Sequence, residues 1–164
     1  MRISEENPEV PLLEFEPLTG VALAAWLAST RKEYMAERME AGDSEAEAVA
    51  NADAGYQRLF PGGQPAEGQL VGRVIASEGP VGHLWVGPAG TDPSRWWVWD
   101  VAIEAAFRGR GYGRAAMELA EQLARAHGAA TIGLNVFGHN HVARQLYTSL
   151  GYAEAAVVMR KDLR

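Results

Sequence analysis

Six consecutive residues, Arg108-Gly109-Arg110-Gly111-Tyr112-Gly113, have the types and spacing to hold an anion. Glycine at 109, 111 and 113 lets the main chain approach a ligand closely and adopt conformations closed to other residues. If a helix starts here, its first amides carry partial positive charge and lack partners inside the helix, so the turn can cradle a pyrophosphate. Arg108, Arg110 and Arg114 add three guanidinium groups within seven residues. Alone, such a turn serves equally as a tight strand-to-helix connection, and context has to decide. A second chemical feature is Asp100, the one carboxylate in the run RWWVWDVAI, Arg95 to Ile103. Desolvation raises such a carboxyl toward the range of a working base, unless a neighbouring strand or water satisfies it by hydrogen bonding. Glu104, at the end of the same run and beside the turn, is the runner-up.

Two nucleotide readings of the turn fail on spacing. A Walker loop needs Lys-Ser/Thr after its last glycine, and Gly113 is followed by Arg114-Ala115. A dinucleotide fingerprint needs G-x-G-x-x-G with an acid about 20 residues on. Here the spacing is G-x-G-x-G, and the next strand-like run, TIGLNVF, ends without a carboxylate.

The elements that must position these groups are read from periodicity and punctuation. Residues 12–18 alternate as a first strand, and Thr19 can cap a helix that stops at Gly42. A second helix starts at Asp43 or Ser44, with Glu47 in the capping-box position for Ser44, and ends at Phe60 before Pro61-Gly62-Gly63. Gln69 to Ser77 and Val81 to Val86, joined by Glu78-Gly79-Pro80, predict a hairpin. Pro88 to Pro93 form a turn before the strand Arg95 to Ile103. Beyond the glycine-rich turn, a helix sets Ala116, Leu119/Ala120, Leu123 and Ala126/His127 on one face and stops near Gly128. A strand over residues 130–137, a helix from Asn140 to Leu150 and a final strand from Tyr152 to Leu163 complete the pattern. This order predicts an α/β fold with a central mixed sheet flanked by helices.

Size and composition narrow the function classes. At 164 residues and 17.7 kDa the chain fits one compact domain, residues 1–164, without a detectable repeat or linker. The longest apolar run, Val21 to Ala28, is too short to span a membrane, and the opening MRISEENPEVPL does not read as a secretory signal, so a cytoplasmic protein is expected. Zero cysteines exclude disulfides, thiolate metal sites and a cysteine nucleophile. The first 69 residues hold five Arg/Lys against thirteen Asp/Glu, a net of −8, and the remainder ten against eight, a net of +2. A net charge of −6 argues against a general nucleic-acid surface, while the arginine cluster suits a small anionic ligand.

In this context the sequence resembles the GNAT superfamily of N-acetyltransferases, and looks most like small bacterial members of unassigned substrate. The resemblance rests on Arg108-x-x-Gly111-x-Gly113 between a strand and a helix, and on Asn140-x-x-Ala143-x-x-Leu146-Tyr147-x-x-x-Gly151-Tyr152 about 27 residues on. It implies a mostly antiparallel sheet in which the strand with Val101, Ala102 and Ile103 splays from TIGLNVF, leaving main-chain groups to pair with the pantetheine arm of acetyl-CoA. It implies that the amides of Gly109, Arg110, Gly111, Tyr112, Gly113 and Arg114 hold the pyrophosphate, with the arginines, Arg108 included, supplementing them. Asn140 matches the position that touches the pantetheine arm, and Tyr147 that of the phenol near the thioester sulfur. Arg144 either reaches the 3′-phosphate or lies on the helix surface. Family habit also suggests a homodimer.

In the implied reaction, an amine on a small molecule or peptide attacks the thioester carbonyl directly in a ternary complex, with no metal. A backbone amide near Val101 can serve the oxyanion, and Tyr147 the departing sulfur. Some GNAT branches carry a glutamate where this chain has Asn135, which cannot act as a base and stays with the cofactor-binding set. Asp100 is then the best substitute and Glu104 the next. Tyr147 can also be read as a core aromatic. The competing class is a CoA-binding sensor without catalysis, suggested by Asn135. Trp85, Trp96, Trp97 and Trp99 read as aromatic core or as an acceptor-pocket wall. His83 reads as structural, and His139 and His141 as loop or ligand-edge groups. Glu33, Glu37, Glu40, Glu45 and Glu47 read as a solvated helix face or as a surface favouring a cationic amine.

Overall fold

A computed structural model describes residues 10–164. Its regular elements are β1 (Glu14–Pro17), α1 (Gly20–Glu40), α2 (Glu45–Leu59), β2 (Leu70–Ala76), β3 (Gly79–Pro88), β4 (Arg95–Ile103), α3 (Tyr112–Ala126), β5 (Thr131–Leu134) and α4 (His141–Ser149). One sheet runs in the order β1-β2-β3-β4-β5. The first three pairings are antiparallel, and β4 and β5 are parallel.

Local chemistry sets the element ends. Thr19 occupies the N-cap of α1 without a side-chain bond. At α2 the capping box forms: Ser44 Oγ accepts from the Glu47 amide at 3.3 Å, and Glu47 Oε2 accepts from the Ser44 amide at 2.8 Å. Phe60 ends α2 ahead of Pro61-Gly62-Gly63. The hairpin closes tightly, with Ala76 paired to Gly79.

Apolar surface is buried on both faces of the sheet. On one face, Val74, Leu84, Val86, Trp96 and Val98 pack against Tyr112, Ala116, Met117, Ala120 and Ala124 of α3. The buried stripe of α3 is therefore rotated from the expected one, since Ala126 and His127 are exposed. Alanines at i, i+4 and i+8 let the helix sit close to the sheet, so short side chains mark this face better than leucines do. On the other face, Leu23 and Trp26 of α1, Leu59 and Phe60 meet Val71 and Trp85. Trp85 stacks on Trp99 at 5.6 Å and meets Phe60 edge-on at 4.8 Å.

Two irregularities in β4 shape the sheet beside the glycine-rich turn. Trp85 pairs with Asp100 but Val86 pairs with Val98, so Trp99 is an extra, bulged residue. The bulge restarts the alternation: Trp96 and Val98, then Val101 and Ile103, face α3, while Asp100 lies on the side of its partner Trp85. The ladder to β5 stops at Val98–Leu134, so five residues of β4, Trp99 to Ile103, run on with that edge free. The sheet forks there.

Two strand expectations are corrected. The strand expected over residues 130–137 is only Thr131–Leu134, because divergence at the fork leaves Asn135 to Phe137 without a ladder. The final strand expected from Tyr152 to Leu163 does not form. Residues 152–164 hold no regular structure, and those after Tyr152 are exposed. A strand exists only through pairing, and this segment lies against no strand of its own chain. Instead Arg160 donates to Asp43 at 2.8 Å, beside the Arg38–Asp43 pair at the α1–α2 corner. Among the described residues, no helix is long and apolar enough to cross a membrane.

Candidate active site

The glycine-rich turn joins the end of β4 to α3. A short 3₁₀ turn, Ala105–Phe107, brings the chain to Gly109 and Gly111, whose φ values of +75° and +85° are accessible to glycine at little cost. Gly111 is the N-cap of α3, with no side-chain cap bond. Among the described residues, the amides of Gly109, Arg110 and Gly111 have no backbone acceptor, and those of Tyr112, Gly113 and Arg114 open the helix. Six donors therefore lie in one short stretch of chain.

The side chains around the turn are sorted by function. Tyr112 turns its hydroxyl back to Glu78 in the β2–β3 turn, leaving only its amide for the loop. Arg108 Nε donates to the Ile103 carbonyl at 2.9 Å, tying the turn to the tip of β4. Arg110 lies 5.7 Å above the Phe107 ring, and Arg114 donates to Ser149 Oγ at 2.5 Å. Among the described residues, none of these three guanidinium groups pairs with a carboxylate, so their charge stays available to an anion. An extended diphosphate carrier fits this set of free amides and unneutralised arginines.

The fork places further groups above the turn. Val101, Ala102 and Ile103 form its free β4 edge, and Asn135 is exposed just past β5. Asn140 caps α4, its Oδ1 accepting from the Ala143 amide at 3.2 Å, which leaves its Nδ2 free among the described residues. Leu146 lies 3.4 Å from where a Cβ on Gly113 would be, so α4 packs beside the start of α3. On α4, Tyr147 is half-buried against the α3-side core and 6.0 Å from the Tyr152 ring. Its hydroxyl makes no hydrogen bond among the described residues. Arg144 is held by Glu154 at 2.6 Å and lines a groove of about 450 Å³ on the face of α4 away from Tyr147. Glu104 is exposed in solvent, acting electrostatically on His83.

Electrostatics connect the groups at the fork. Burial first, and then the nearby carboxylates of Glu33 and Glu37, push the Asp100 carboxyl up to about 7, against the Val101 amide, which lowers it. Burial, Asp100 and Glu37 raise the Tyr147 phenol above its ordinary value, so it keeps its proton throughout the physiological range. Glu37 is itself raised by burial, opposed by His139 and reinforced by Glu33 and Glu40. Burial lowers His83, so it is neutral at pH 7. Tyr56 on α2 was not visible as a site residue in the sequence. Its phenol is raised by burial and by Asp100, and its ring lies 6.0 Å from Trp85. The signal was its position four residues past Ala52 on the buried face of α2.

The acidic helix supplies the remaining wall. Leu23, Trp26 and Thr30 form the buried stripe of α1. The same stripe continues at i+3 and i+4 through Glu33, Glu37 and Glu40, exposed where the helix passes the fork. Glu40 meets His139 at 3.5 Å, bringing the end of α1 against the loop after β5. Among the described residues, no Arg or Lys forms an ion pair with Glu33, Glu37 or Asp100. His139 and His141 belong to no group of three or more metal-binding side chains there.

Known proteins are similar to this chain in sequence and fold. YdgE of Bacillus subtilis (strain 168), described as an uncharacterized N-acetyltransferase, is 27% identical over 153 residues, spanning 92% of each chain. YycN of the same organism, described likewise, is 30% identical over 152 residues, 90% of this chain and 96% of that protein. The YycN crystal structure superposes with a TM-score of 0.83 at 28% identity, covering 93% of this chain and 99% of that one. The aminoglycoside N-acetyltransferase AAC(6′)-Iy, solved with CoA, shares the fold at a TM-score of 0.55 and 13% identity, over 96% of this chain and 98% of that one. Residues 23–152, from the first buried leucine of α1 to the tyrosine behind α4, match the acetyltransferase (GNAT) family, and with the forked sheet and its glycine-rich turn they make this chain a member of that family, an N-acetyltransferase.

Proposed function

We propose that the chain transfers the acetyl group of acetyl-CoA to a primary amine on a cationic acceptor, by direct attack within a ternary complex. Acetyl-CoA, the acetyl donor of GNAT enzymes, supplies an activated thioester. In this reading the amides from Gly109 to Arg114 and the arginines around them bind the diphosphate. The free edge of β4 at Val101, Ala102 and Ile103 pairs with the pantetheine arm, and Asn135 and Asn140 approach it from the other side of the fork. Arg144, bonded to Glu154, contributes only if a phosphate displaces that carboxylate.

The observation that carries the reading is the pairing of opposite proton roles at the fork. Asp100 has a carboxyl poised near neutrality, and Tyr147 a phenol that keeps its proton. Asp100 accepts a proton from the incoming ammonium, and Tyr147 donates a hydrogen bond to the leaving sulfur. A phenol of raised pKa does not fully protonate a thiolate whose reference value is about 8.5, so its role is stabilisation by hydrogen bonding. The acidic stripe of α1 favours an acceptor that is positively charged before it reacts. An amine of pKa about 10.4 is neutral less than about one part in a thousand at pH 7, so such an acceptor needs the base.

The test follows CoA release over a panel of amines with Asp100→Asn beside the native protein. Loss confined to high-pKa amines supports the assignment. Equal rates for both proteins across the panel overturn it.

A further inference from the structure

Little inside the glycine-rich turn holds it in shape. Among the described residues, the amides of Gly109, Arg110 and Gly111 meet no backbone acceptor. There, too, a Cβ on Gly109 would meet no atom within 4 Å, and one on Gly111 only Pro11, at 3.5 Å. Glycines with open space around them carry backbone freedom that a bound anion has to remove, so a grip on the turn from outside raises affinity by arranging it beforehand. The β2–β3 hairpin supplies such a grip. Tyr112, the first residue of α3, is buried, and its hydroxyl donates to Oε1 of Glu78 at the hairpin tip, 34 residues away in the chain. Ser77 Oγ donates to Oε2 of the same carboxylate at 3.0 Å, so both oxygens are engaged. The hairpin is itself anchored to the end of β4, where the Glu104 amide donates to the Val81 carbonyl at 2.9 Å.

Glu78 also meets the charge of the turn. The hydrogen bond from Tyr112 first, and the Arg110 guanidinium among the weaker causes, hold its carboxyl below the ordinary value, so it is ionised at neutral pH. Arg110 lies over the Phe107 ring, and Phe107 meets the Tyr112 ring edge-on at 6.1 Å. Arg110, Phe107 and Tyr112 thus form one contiguous set that Glu78 closes. We propose that Glu78 is a positioning residue for acetyl-CoA, an inference that rests on the turn being the diphosphate site: through the Tyr112 hydroxyl it fixes the first turn of α3, and with it the amides and the Arg110 side chain that grip the anion. The role has a distinctive sign. A carboxylate acting on Arg110 also repels a diphosphate bound beside it, so if charge were its only contribution, removing Glu78 would tighten binding. As a brace, its loss loosens the turn and weakens binding.

Calorimetric titration with CoA, beside steady-state kinetics, tests this. Glu78→Ala is expected to raise the Kd for CoA and the KM for acetyl-CoA about tenfold, the weight of one hydrogen bond to a charged group, while kcat at saturating acetyl-CoA changes less than about twofold. Tyr112→Phe is expected to raise the Kd equally, and the double variant no further than either alone. Glu78→Gln keeps an oxygen that accepts from the hydroxyl and loses the repelling charge, so it is expected to bind CoA at least as tightly as the native protein. A Kd for Glu78→Ala within about twofold of native or below it, losses that multiply in the double variant, or a Glu78→Gln protein as weak as Glu78→Ala overturns the proposal. A fall in kcat with KM unchanged does so too. A native protein that takes up no CoA, or a Gly111→Ala protein that binds it as tightly as native, overturns the diphosphate reading of the turn, and the role of Glu78 with it.

Discussion

Replacing Asp100 with Asn tests the site through stability as well as rate. The carboxyl has an ordinary value of 3.8 and is held at about 7 in the folded chain, so folding favours its protonated form. A carboxyl raised on folding helps most below the unfolded value, and that help is lost as pH rises from about 4 through 7. At 1.36 kcal/mol per pH unit, the ceiling on the cost of the ionised form at pH 8 is about 4 kcal/mol. Asp100 keeps some contact with solvent, so about half of that, roughly 2 kcal/mol, is the expected effect. Asn has nearly the same shape and no charge. Asp100→Asn is therefore expected to melt roughly 4–8 °C higher than the native protein at pH 8, the gap closing toward pH 4. Thermal melts at half-unit pH steps measure it. In parallel, native kcat/KM for a high-pKa amine is expected to rise through about pH 7 as Asp100 ionises, and the variant to lose that limb. A stability difference that is flat with pH, or of opposite sign at pH 8, refutes the account of a desolvated, unpaired carboxylate.

Three further outcomes are expected. Tyr147→Phe should lower kcat about a hundredfold and leave the KM for acetyl-CoA within a few fold, and steady-state kinetics at saturating amine checks this. Glu37→Gln should raise KM roughly three- to tenfold for a diamine but little for an uncharged amine, with the difference shrinking in high salt. Gly111→Ala places a Cβ at φ +85°, and should cost about 1 kcal/mol or more of stability and weaken CoA binding about tenfold, read by denaturant titration and calorimetry.

Local signals in the sequence mapped onto local structure. Ser44 and Glu47 are three residues apart and cap α2 as their types require. Pro61-Gly62-Gly63 stops that helix, and the turn at Gly109 and Gly111 is where the glycines stand. Asp100 stood out because it is charged in an apolar run. The bulge at Trp99 could not be read, because RWWVWDVAI is apolar on both faces and lacks the alternation a bulge would interrupt. The rotated stripe of α3 was hidden because alanine carries little pattern weight although it is what the close packing needs. The convergence of Glu33, Glu37, Tyr56 and Asp100 depends on three elements meeting, which no short window contains. The final strand failed for the same reason, since pairing is a property of two segments and only one was in view.

The bulge at Trp99 also acts as a ruler. From the last rung of the β4–β5 ladder at Val98 to the first glycine of the turn at Gly109, the main chain sets the span between the place where a thioester would react and the place where its phosphates would be gripped. Deleting Trp99 would leave every other side chain on its present face, because the bulge is what absorbs the extra residue. It would nonetheless remove the bend and the extra twist that a bulge gives its strand, and so re-aim the chain between that rung and the turn. An insertion or deletion within 99–108 is therefore expected to disturb the aim of the free β4 edge on the turn before it disturbs the packing on either face of the sheet.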